Sequence, residues 1–282
     1  MASRAGRPIW MERPNVAVMV AKVVILLVVV VVMVFPFVYV LSVSLGGDWD
    51  PQVGPSGLIP QHLDLRVYQE ILRGGVVLHS LEVSIGVTAV GTFVDMVMTT
   101  TMAFGLSRTS QVPGSRIVLF MALATLLFTA GIIPTYLVVR DLGLLNNYAA
   151  LILPGMISAF NLVIVRQFFM NIPDDITDAA LIDGASPVQV FRHIVLPLSK
   201  AVIAVVALFY GVAIWSDYFS ALIYLNNSAM WPIQMVLEAQ IQNGINVGNA
   251  ATVIVATVPI VLVYPFLQRY LTQGVLSGAV KT

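Results

Sequence analysis

The chain has no cysteine among its 282 residues, and charged residues make up only 10% of it. Without cysteine, disulfide bridges, thiolate metal sites and thiol nucleophiles are all excluded. The three histidines, His62, His79 and His193, are far apart in the sequence and lack the spacing of metal ligands. We therefore expect no metal site, and we expect each histidine to be a surface or interface residue.

A nucleotide-binding loop is also missing from the sequence. No glycine-rich stretch is followed by Lys and Ser or Thr, the pattern that cradles phosphates. We therefore expect that this chain is not an enzyme, has no catalytic residue and binds no cofactor. The formal net charge is zero and no block of like charge occurs, which argues against a nucleic-acid partner.

What the chain has in excess is apolar sequence. Hydrophobic residues make up 59% of it, and the mean hydropathy is +0.92. The run "VVILLVVVVVMVFPFVYVLSV" from Val23 to Val43 is long enough to cross a hydrocarbon core of roughly 30 Å at about 1.5 Å per residue. This run predicts a first membrane-spanning helix, which we expect to be retained because it is longer than the apolar region of a signal peptide.

Five more apolar segments of similar length predict a total of six spans. They are Leu81 to Leu106, Ile117 to Val139, Ala149 to Phe169, Ala201 to Ile223, and Ala250 to Leu267. Six spans place both termini on one side of the membrane. If that side is the cytoplasm, only Arg66, Arg73 and Arg140 of the 14 Lys and Arg residues lie outside, as the positive-inside rule requires. The external loop after the first span is predicted to contain a short helix from Leu65 to Leu72.

One amphipathic segment, residues 171–199, lies between the fourth and fifth spans and so on the cytoplasmic side. Asn171 and Asp174 are spaced like a capping box and predict the start of a first helix. Gly184 falls where a helix would end in a left-handed residue. Ser186 and Gln189 then predict the cap of a second helix.

The second helix has one apolar face in this prediction. That face carries Val188, Phe191, Ile194, Val195 and Leu198, while Gln189, Arg192 and His193 point away. Two short helices joined by a sharp turn would form a protruding segment. Such a segment can transmit a displacement between the membrane domain and a cytoplasmic partner. The same caps and glycine also occur in loops that merely end two helices, and the residues by themselves leave both interpretations open.

The segment "DAALIDGASPVQVFRHIVLP" resembles the EAA loop of permease subunits of bacterial binding-protein-dependent ABC importers. The matching positions are Asp178, Ala179, Ala180, Asp183, Gly184, Ile194, Leu196 and Pro197. The stretches "GIIPTYLVVRDLGLLNNYAALILPG" and "QRYLTQGVLSGAVKT" are similar to the MalG-type branch, which imports oligosaccharides and related sugars. "LPGMISAFNLVIVRQFF" and "ALFYGVAIWSDYFSALIYL" resemble its LplC-type members. Asp178 stands where the family usually has glutamate.

This resemblance implies an all-α membrane protein with the type I ABC importer permease (MetI-like) fold in the bacterial cytoplasmic membrane. It implies that the first loop helix is a coupling helix that docks on an ATPase subunit. The implied partners are a second homologous permease, two ATPase subunits that bind ATP and Mg, an extracytoplasmic solute-binding protein and a sugar. The expected domains are residues 1–75, a core of 76–268, and a C-terminal tail of 269–282 that touches the ATPase subunits.

Polar residues inside the predicted spans are candidates for the substrate path. Asp217 lies beside Trp215 and Tyr218, a combination that can stack on a sugar and hydrogen-bond to it. An interfacial aromatic belt with a solvated acid explains these three residues equally well. Asp95 and Asn161 are two further candidates. The alternative function is an ion-coupled secondary transporter or membrane enzyme that uses Asp95 and Asp217, and a third reading is a purely structural scaffold subunit.

Overall fold

The computed structural model describes residues 16–46, 63–108, 112–242 and 246–279, without the side chains of residues 266–267 and 269–279. These residues contain no β-strand, and they form helices joined by short turns. The α-helices are α1 (Val16–Leu45), α2 (Arg66–Leu72), α3 (Val76–Ser107), α4 (Ser115–Leu127), α5 (Ile132–Asp141), α6 (Ala149–Ile152), α7 (Ala159–Met170), α8 (Asp174–Ile182), α9 (Pro187–Val190), α10 (Leu196–Leu198), α11 (Lys200–Trp215), α12 (Tyr218–Tyr224), α13 (Ile233–Ile241) and α14 (Val247–Ala279). The N-terminal tail, most of the external loop with His62, and the last three residues lie outside the described residues.

The chain divides into two compact units, and the first comprises residues 1–67 and 245–254. Its main element is α1, which is long and apolar enough to cross a membrane. Every residue from 16 to 38 is exposed, as expected of a helix surrounded by lipid or by another subunit. The backbone and side-chain N–H groups of Arg66 donate hydrogen bonds to Asp64, and they hold the pKa of that carboxyl below its usual value.

The second unit comprises residues 68–244 and 255–282 and is organised around α3. This 32-residue helix packs against α4, α6, α7, α11 and α13. Between α3, α7 and α11 lies an apolar core whose fully buried members include Leu162, Val165 and Val206. The helix is not interrupted by proline, and so it forms a continuous rod through this unit.

One buried hydroxyl joins three of these elements. The Tyr210 Oη atom on α11 accepts a hydrogen bond from the Ser158 backbone N–H at 2.9 Å. It also shares a hydrogen bond of 2.7 Å with Thr99 Oγ1 on α3. Ser158 is the N-cap of α7, where the chain breaks between α6 and α7. Tyr210 therefore satisfies a backbone donor that the break would otherwise leave unpaired in an apolar environment.

A close approach of α3 to its neighbours depends on Gly91. A Cβ atom at this position would lie 2.7 Å from Ile214 Cδ1 and 3.2 Å from Ile152 Cγ1. Small residues allow helix backbones to approach closely in membranes, where packing rather than hydrophobic burial drives association. Gly91 thus sets the spacing between α3, α6 and α11.

A set of hydrogen bonds from Asn146 joins the turn after α5 to the end of α12. Asn146 adopts a left-handed φ of 55°, which asparagine tolerates better than most residues. Its Oδ1 atom accepts hydrogen bonds from the backbone N–H groups of Asn226 and Asn227, and its own N–H donates to the Tyr224 carbonyl. The rings of Tyr136 and Tyr224 stack beside this contact, with centroids 6.4 Å apart.

Several predicted spans are broken helices. Three described helices are long and apolar enough to cross a membrane, and two strongly bent pairs raise the number to five. The bent pairs are Ala149–Gly155 with Ala159–Met170 at 56°, and Pro187–Leu198 with Lys200–Trp215 at 84°. The predicted segment from Ile117 to Val139 is not one helix but α4 and α5, because Phe128 is extended and Gly131 adopts a positive φ of 81°. The count of six spans and the cytoplasmic position of both termini stay predictions, whereas the predicted helix from Leu65 to Leu72 is confirmed as α2.

Replacing Tyr210 by Phe removes only the hydroxyl that joins α3, α7 and α11. We expect this variant to lower the free energy of unfolding by about 1–2 kcal/mol, because Ser158 N–H and Thr99 Oγ1 lose a buried partner. The measurement is thermal unfolding of the purified protein in detergent. Tyr264→Phe is the matched control, since that ring is 52% exposed and its variant should unfold like the wild type. Equal stabilities for the two variants would contradict the assigned role of Tyr210.

Candidate functional site

The segment that resembles the EAA loop forms two helical pieces after α7. The first piece, α8, begins at Asp174 directly after Pro173, and no side chain caps it. The predicted capping box of Asn171 and Asp174 is wrong, because Asn171 ends α7 as its C-cap and Pro173 occupies the N-cap position of α8. Asp174 and Asp175 in the first turn instead complement the positive end of the helix dipole.

Helix α8 has one exposed face and one face joined to the core. Asp178 and Ala179 are exposed, and Ile182 is 86% exposed. On the opposite face, Thr177 is buried and donates a hydrogen bond from Oγ1 to the Asp174 carbonyl at 2.9 Å. Ala180 packs with Leu181 against the apolar core between α3, α7 and α11. The helix thus presents an acidic and apolar surface while it stays attached to the membrane domain.

The turn at Gly184 is stabilised by its own hydrogen bonds. Gly184 has a φ of 85°, in the left-handed region that glycine adopts without strain. The Ala185 N–H donates to the Ala180 carbonyl at 2.9 Å, and the Gly184 N–H donates to the Leu181 carbonyl at 3.1 Å. These two bonds form a Schellman motif and satisfy carbonyls at the end of α8. The predicted left-handed glycine is confirmed, and Asp183 is the exposed C-cap before it.

The second helix is capped as the sequence predicts. The Gln189 N–H donates to Ser186 Oγ at 3.3 Å, and the Ser186 N–H donates to Gln189 Oε1 at 2.7 Å. This reciprocal pair is a complete capping box, with Pro187 at the first helical position. The end of α8 before Gly184 and the start of α9 after it are therefore both capped by hydrogen bonds within the loop.

After α9 the chain widens into a π-helical turn at Phe191–Val195, followed by α10 with Leu196 and Pro197. The predicted apolar face is wrong in part, because Val188 is 72% and Leu198 54% exposed, whereas Val190 is buried. A π turn holds more residues than an α turn and so rotates the faces on its two sides relative to each other. Gln189, Arg192 and His193 are exposed as predicted.

An open groove of 330 Å³ lies at the junction of the two helical pieces. It is lined by Asp183, Gly184, Ala185, Gln189, Val190, His193 and Ile194. The groove offers a carboxylate, an amide and an imidazole around a bare backbone turn. Apart from its two chain neighbours, no atom of the described residues lies within 4 Å of the position that a Cβ of Gly184 would take, so a partner can approach the turn closely. This arrangement suits a protein–protein contact rather than a reaction.

The residues predicted for a substrate path are not gathered in one place. Trp215 is buried with Ile233, whereas Tyr218 belongs to a separate cluster around Leu225. Asp217 lies between them as the N-cap of α12, and its Oδ1 atom accepts a hydrogen bond from the Ser220 N–H at 3.0 Å. Trp215 and Tyr218 therefore pack into different apolar clusters, and the Asp217 carboxylate caps α12.

Asp217 also borders a small cavity of about 10 Å³, which has room for one water molecule. Ser84 and Thr88 of α3 supply hydroxyl groups to this cavity. Asp95, on the same helix, is only 2% exposed, and its Oδ1 atom has no hydrogen-bond partner among the described residues. Asn161 is 5% exposed and lies in the first turn of α7. Within the described part of the chain, no group of three or more acidic or histidine residues could hold a metal ion.

Contacts that the sequence did not predict tie the loop to α3. The Phe104 ring on α3 lies 5.0 Å, centroid to centroid, from the ring of Phe191 in the π turn. The Arg108 guanidinium lies 5.4 Å from the Phe104 centroid. Arg166 on α7 donates from Nε to the Leu106 carbonyl at 3.0 Å. The pairs Phe104–Phe191 and Arg166–Leu106 are distant in sequence, so no local pattern could have paired them, whereas Phe104 and Arg108 are four residues apart at the end of one helix.

Comparisons with known proteins agree with this geometry. Residues 79–277 match the family described as binding-protein-dependent transport system inner membrane component. Protein LplC of Bacillus subtilis is 42% identical over 262 residues, which cover 87% of this chain and 88% of LplC. The polygalacturonan/rhamnogalacturonan transport system permease protein YtcP of the same organism is 41% identical, with 87% and 92% of the two chains covered.

A solved structure shares the fold. A chain from the crystal structure of a bacterial ABC transporter involved in the import of the acidic polysaccharide alginate superimposes with a TM-score of 0.86 at 26% sequence identity. The match covers 93% of this chain and 99% of that one. Because the family match spans most of the chain and the helical architecture agrees, this protein belongs to the binding-protein-dependent transport system inner membrane components, as a membrane-embedded permease of the ABC sugar importer type.

Proposed function

We propose that this chain moves a carbohydrate across the cytoplasmic membrane by alternating access, driven by ATP hydrolysis on separate subunits. The observation that carries the proposal is the loop of residues 171–199, which is attached to the core on one face and exposed on the other. Such a loop can receive a displacement from a cytoplasmic motor and pass it to the spans. The coupling residues in this proposal are Asp178, Ala179, Ala180, Asp183, Gly184, Leu196 and Pro197.

The complete transporter in this proposal is a heteromeric assembly. A second homologous permease lines the path together with this chain, two ATPase subunits bind ATP and Mg below it, and an extracytoplasmic binding protein delivers the solute. The proposal includes six spans with both termini in the cytoplasm, and in that topology the loop lies on the same side as the ATPase subunits. The exposed apolar surface of α1 supports contact with lipid or with the second permease.

A carbohydrate solute is supported by the names of the similar proteins. YtcP is described as a permease for polygalacturonan and rhamnogalacturonan, and the solved transporter imports alginate. All three are polymers of sugar units, so we infer an oligosaccharide or related glycoside for this chain. Candidate contacts along the path are Asp95, Asn161, Trp215, Asp217 and Tyr218. Asp95, Asn161 and Trp215 are buried, so they become accessible only if the helices around them move.

The test of the coupling loop is Gly184→Asp. The substitution places a carboxylate on the groove and strains a backbone whose φ is 85°. We expect affinity purification of the variant from its native host to recover the second permease but at least tenfold less ATPase subunit than the wild type, and transport to be lost.

The matched control is Gly143→Asp. Gly143 also has a positive φ, 69°, with open space around its Cα, but it lies in the turn after α5. This variant should recover the ATPase subunit at the wild-type level. If the two variants behave alike, the effect comes from backbone strain and the proposed docking surface is wrong. If the wild type is purified alone and transports with an ion gradient only, the importer assignment fails altogether.

Asp217 offers a test of the substrate path. Asp217→Asn keeps an N-cap acceptor for the Ser220 N–H and removes only the charge, so stability should stay close to that of the wild type. Asp217→Ala also removes the cap, and we expect it to cost about 1 kcal/mol in the free energy of unfolding. If the carboxylate contacts the solute, both variants raise the concentration of loaded binding protein needed for half-maximal transport. An unchanged value for Asp217→Asn removes Asp217 from the path.

A further inference from the structure

The C-terminal end of α3 is held by both flanks of the coupling loop. Arg166 on α7, eight residues before α8 begins, donates from Nε to the Leu106 carbonyl at 3.0 Å. Leu106 is in the last turn of α3, where backbone carbonyls have no helical donor. A cationic donor at this end also interacts favourably with the helix dipole. The bond therefore fixes the position of α7 along α3.

The second flank reaches α3 through aromatic packing. Phe191, in the π turn that follows α9, lies with its ring 5.0 Å from the Phe104 ring and tilted by 37°. Apolar contacts of this kind tolerate small displacements, because the rings can slide with little change in buried area. A charged hydrogen bond to a partly buried carbonyl has a narrower range of distance and angle. Apolar packing of α7 and of Ala180 and Leu181 also contributes to the contact with α3, and the Arg166 bond is the charged, directional contact within it.

The first turn of α8 does not fill the space beside α3. A cavity of 170 Å³ lies there, lined by Phe104, Ser107, Arg108, Phe169, Asp174 and Thr177. Unfilled space between two elements allows one to shift before the other responds. A displacement at the start of α8 can therefore be absorbed by the cavity unless another contact carries it to α3.

Helix α3 itself can carry a displacement to the far end of the unit. It runs from Val76 to Ser107 without a break, whereas the spans that contain α7 and α11 are sharply bent. Near its N-terminal end, Ser84 Oγ accepts a hydrogen bond from the Ile233 N–H of α13 at 2.8 Å. The same helix thus touches the coupling loop at one end and α13 at the other.

We propose that Arg166 is the positioning residue that makes α7 and α3 move as one body, so that displacement of the coupling loop is delivered to α3 instead of being lost in the cavity. This role rests on the proposed function, since it requires an ATPase that moves the loop. Arg166 acts through the carbonyl of Leu106.

The experiment compares Arg166→Gln and Arg166→Lys with the wild type in the full transporter reconstituted in liposomes. The measured quantity is the number of solute molecules transported per ATP hydrolysed. We expect Arg166→Gln to bind the ATPase subunit normally and to hydrolyse ATP, but to transport at least fivefold fewer solute molecules per ATP, which is within the usual range of coupling between sites. Arg166→Lys keeps a cationic donor and should give an intermediate ratio.

The matched control is Arg116→Gln, which removes an exposed arginine at the start of α4 and should leave the ratio unchanged. A purely structural role for Arg166 predicts less assembled complex with a wild-type ratio, and that result overturns the proposal. If Arg166→Gln does not assemble, the Arg166→Lys variant is the test. An intermediate number of solute molecules transported per ATP supports the positioning role of Arg166, and a wild-type number refutes it. Failure of the wild type to bind an ATPase would refute the proposed function instead.

Discussion

The fold depends on how a chain in hydrocarbon satisfies the backbone groups that its broken helices expose. An unpaired N–H or carbonyl in the bilayer costs several kcal/mol, so a break in a span persists only where a side chain supplies the missing partner. Tyr210 does this for the Ser158 N–H at the break before α7, and Arg166 supplies a donor in the same way to the Leu106 carbonyl at the C-terminal end of the unbroken α3. Both side chains reach from one helix to the end of another. The contacts that permit the breaks are therefore also the contacts that hold the helices together.

The same logic explains why α3 is central. It is continuous over 32 residues, and its buried face carries both small and polar residues, among them Gly91 and Thr99. Glycine lets neighbouring backbones approach closely, and threonine supplies a hydroxyl at the contact with α11. The break before α7 is linked to this rod indirectly, because Tyr210 on α11 bonds to both the Ser158 N–H and Thr99 on α3. A permease that must change conformation thus combines one rigid element with several jointed ones.

Much of this architecture could be predicted from the sequence. Long apolar runs indicate membrane helices, and local rules predicted the capping box of Ser186 and the left-handed Gly184, since both depend on residues within a few positions. The capping rule failed at the start of α8, because Pro173 rather than Asn171 occupies the N-cap position. The π turn at Phe191–Val195 changed which residues face the core, and hydrophobic periodicity assumes a regular α-helix. Two contacts depend on tertiary packing: that of Arg166 with Leu106 and that of Phe104 with Phe191. No residue spacing in a single sequence predicts such long-range pairs.

The loop of residues 171–199, proposed to couple the permease to its ATPase, satisfies its own hydrogen-bonding groups on both sides of Gly184. Its Schellman motif and capping box involve only residues within the loop, so its shape does not require a docked partner to supply donors or acceptors. A segment that is already folded loses little conformational entropy when it is captured, and most of the favourable contact energy then appears as affinity. It also needs no slow ordering step before contact, so association can approach the rates typical of two rigid surfaces. In the proposed transporter, the ATPase subunits would thus release and re-engage this loop repeatedly without refolding it each time.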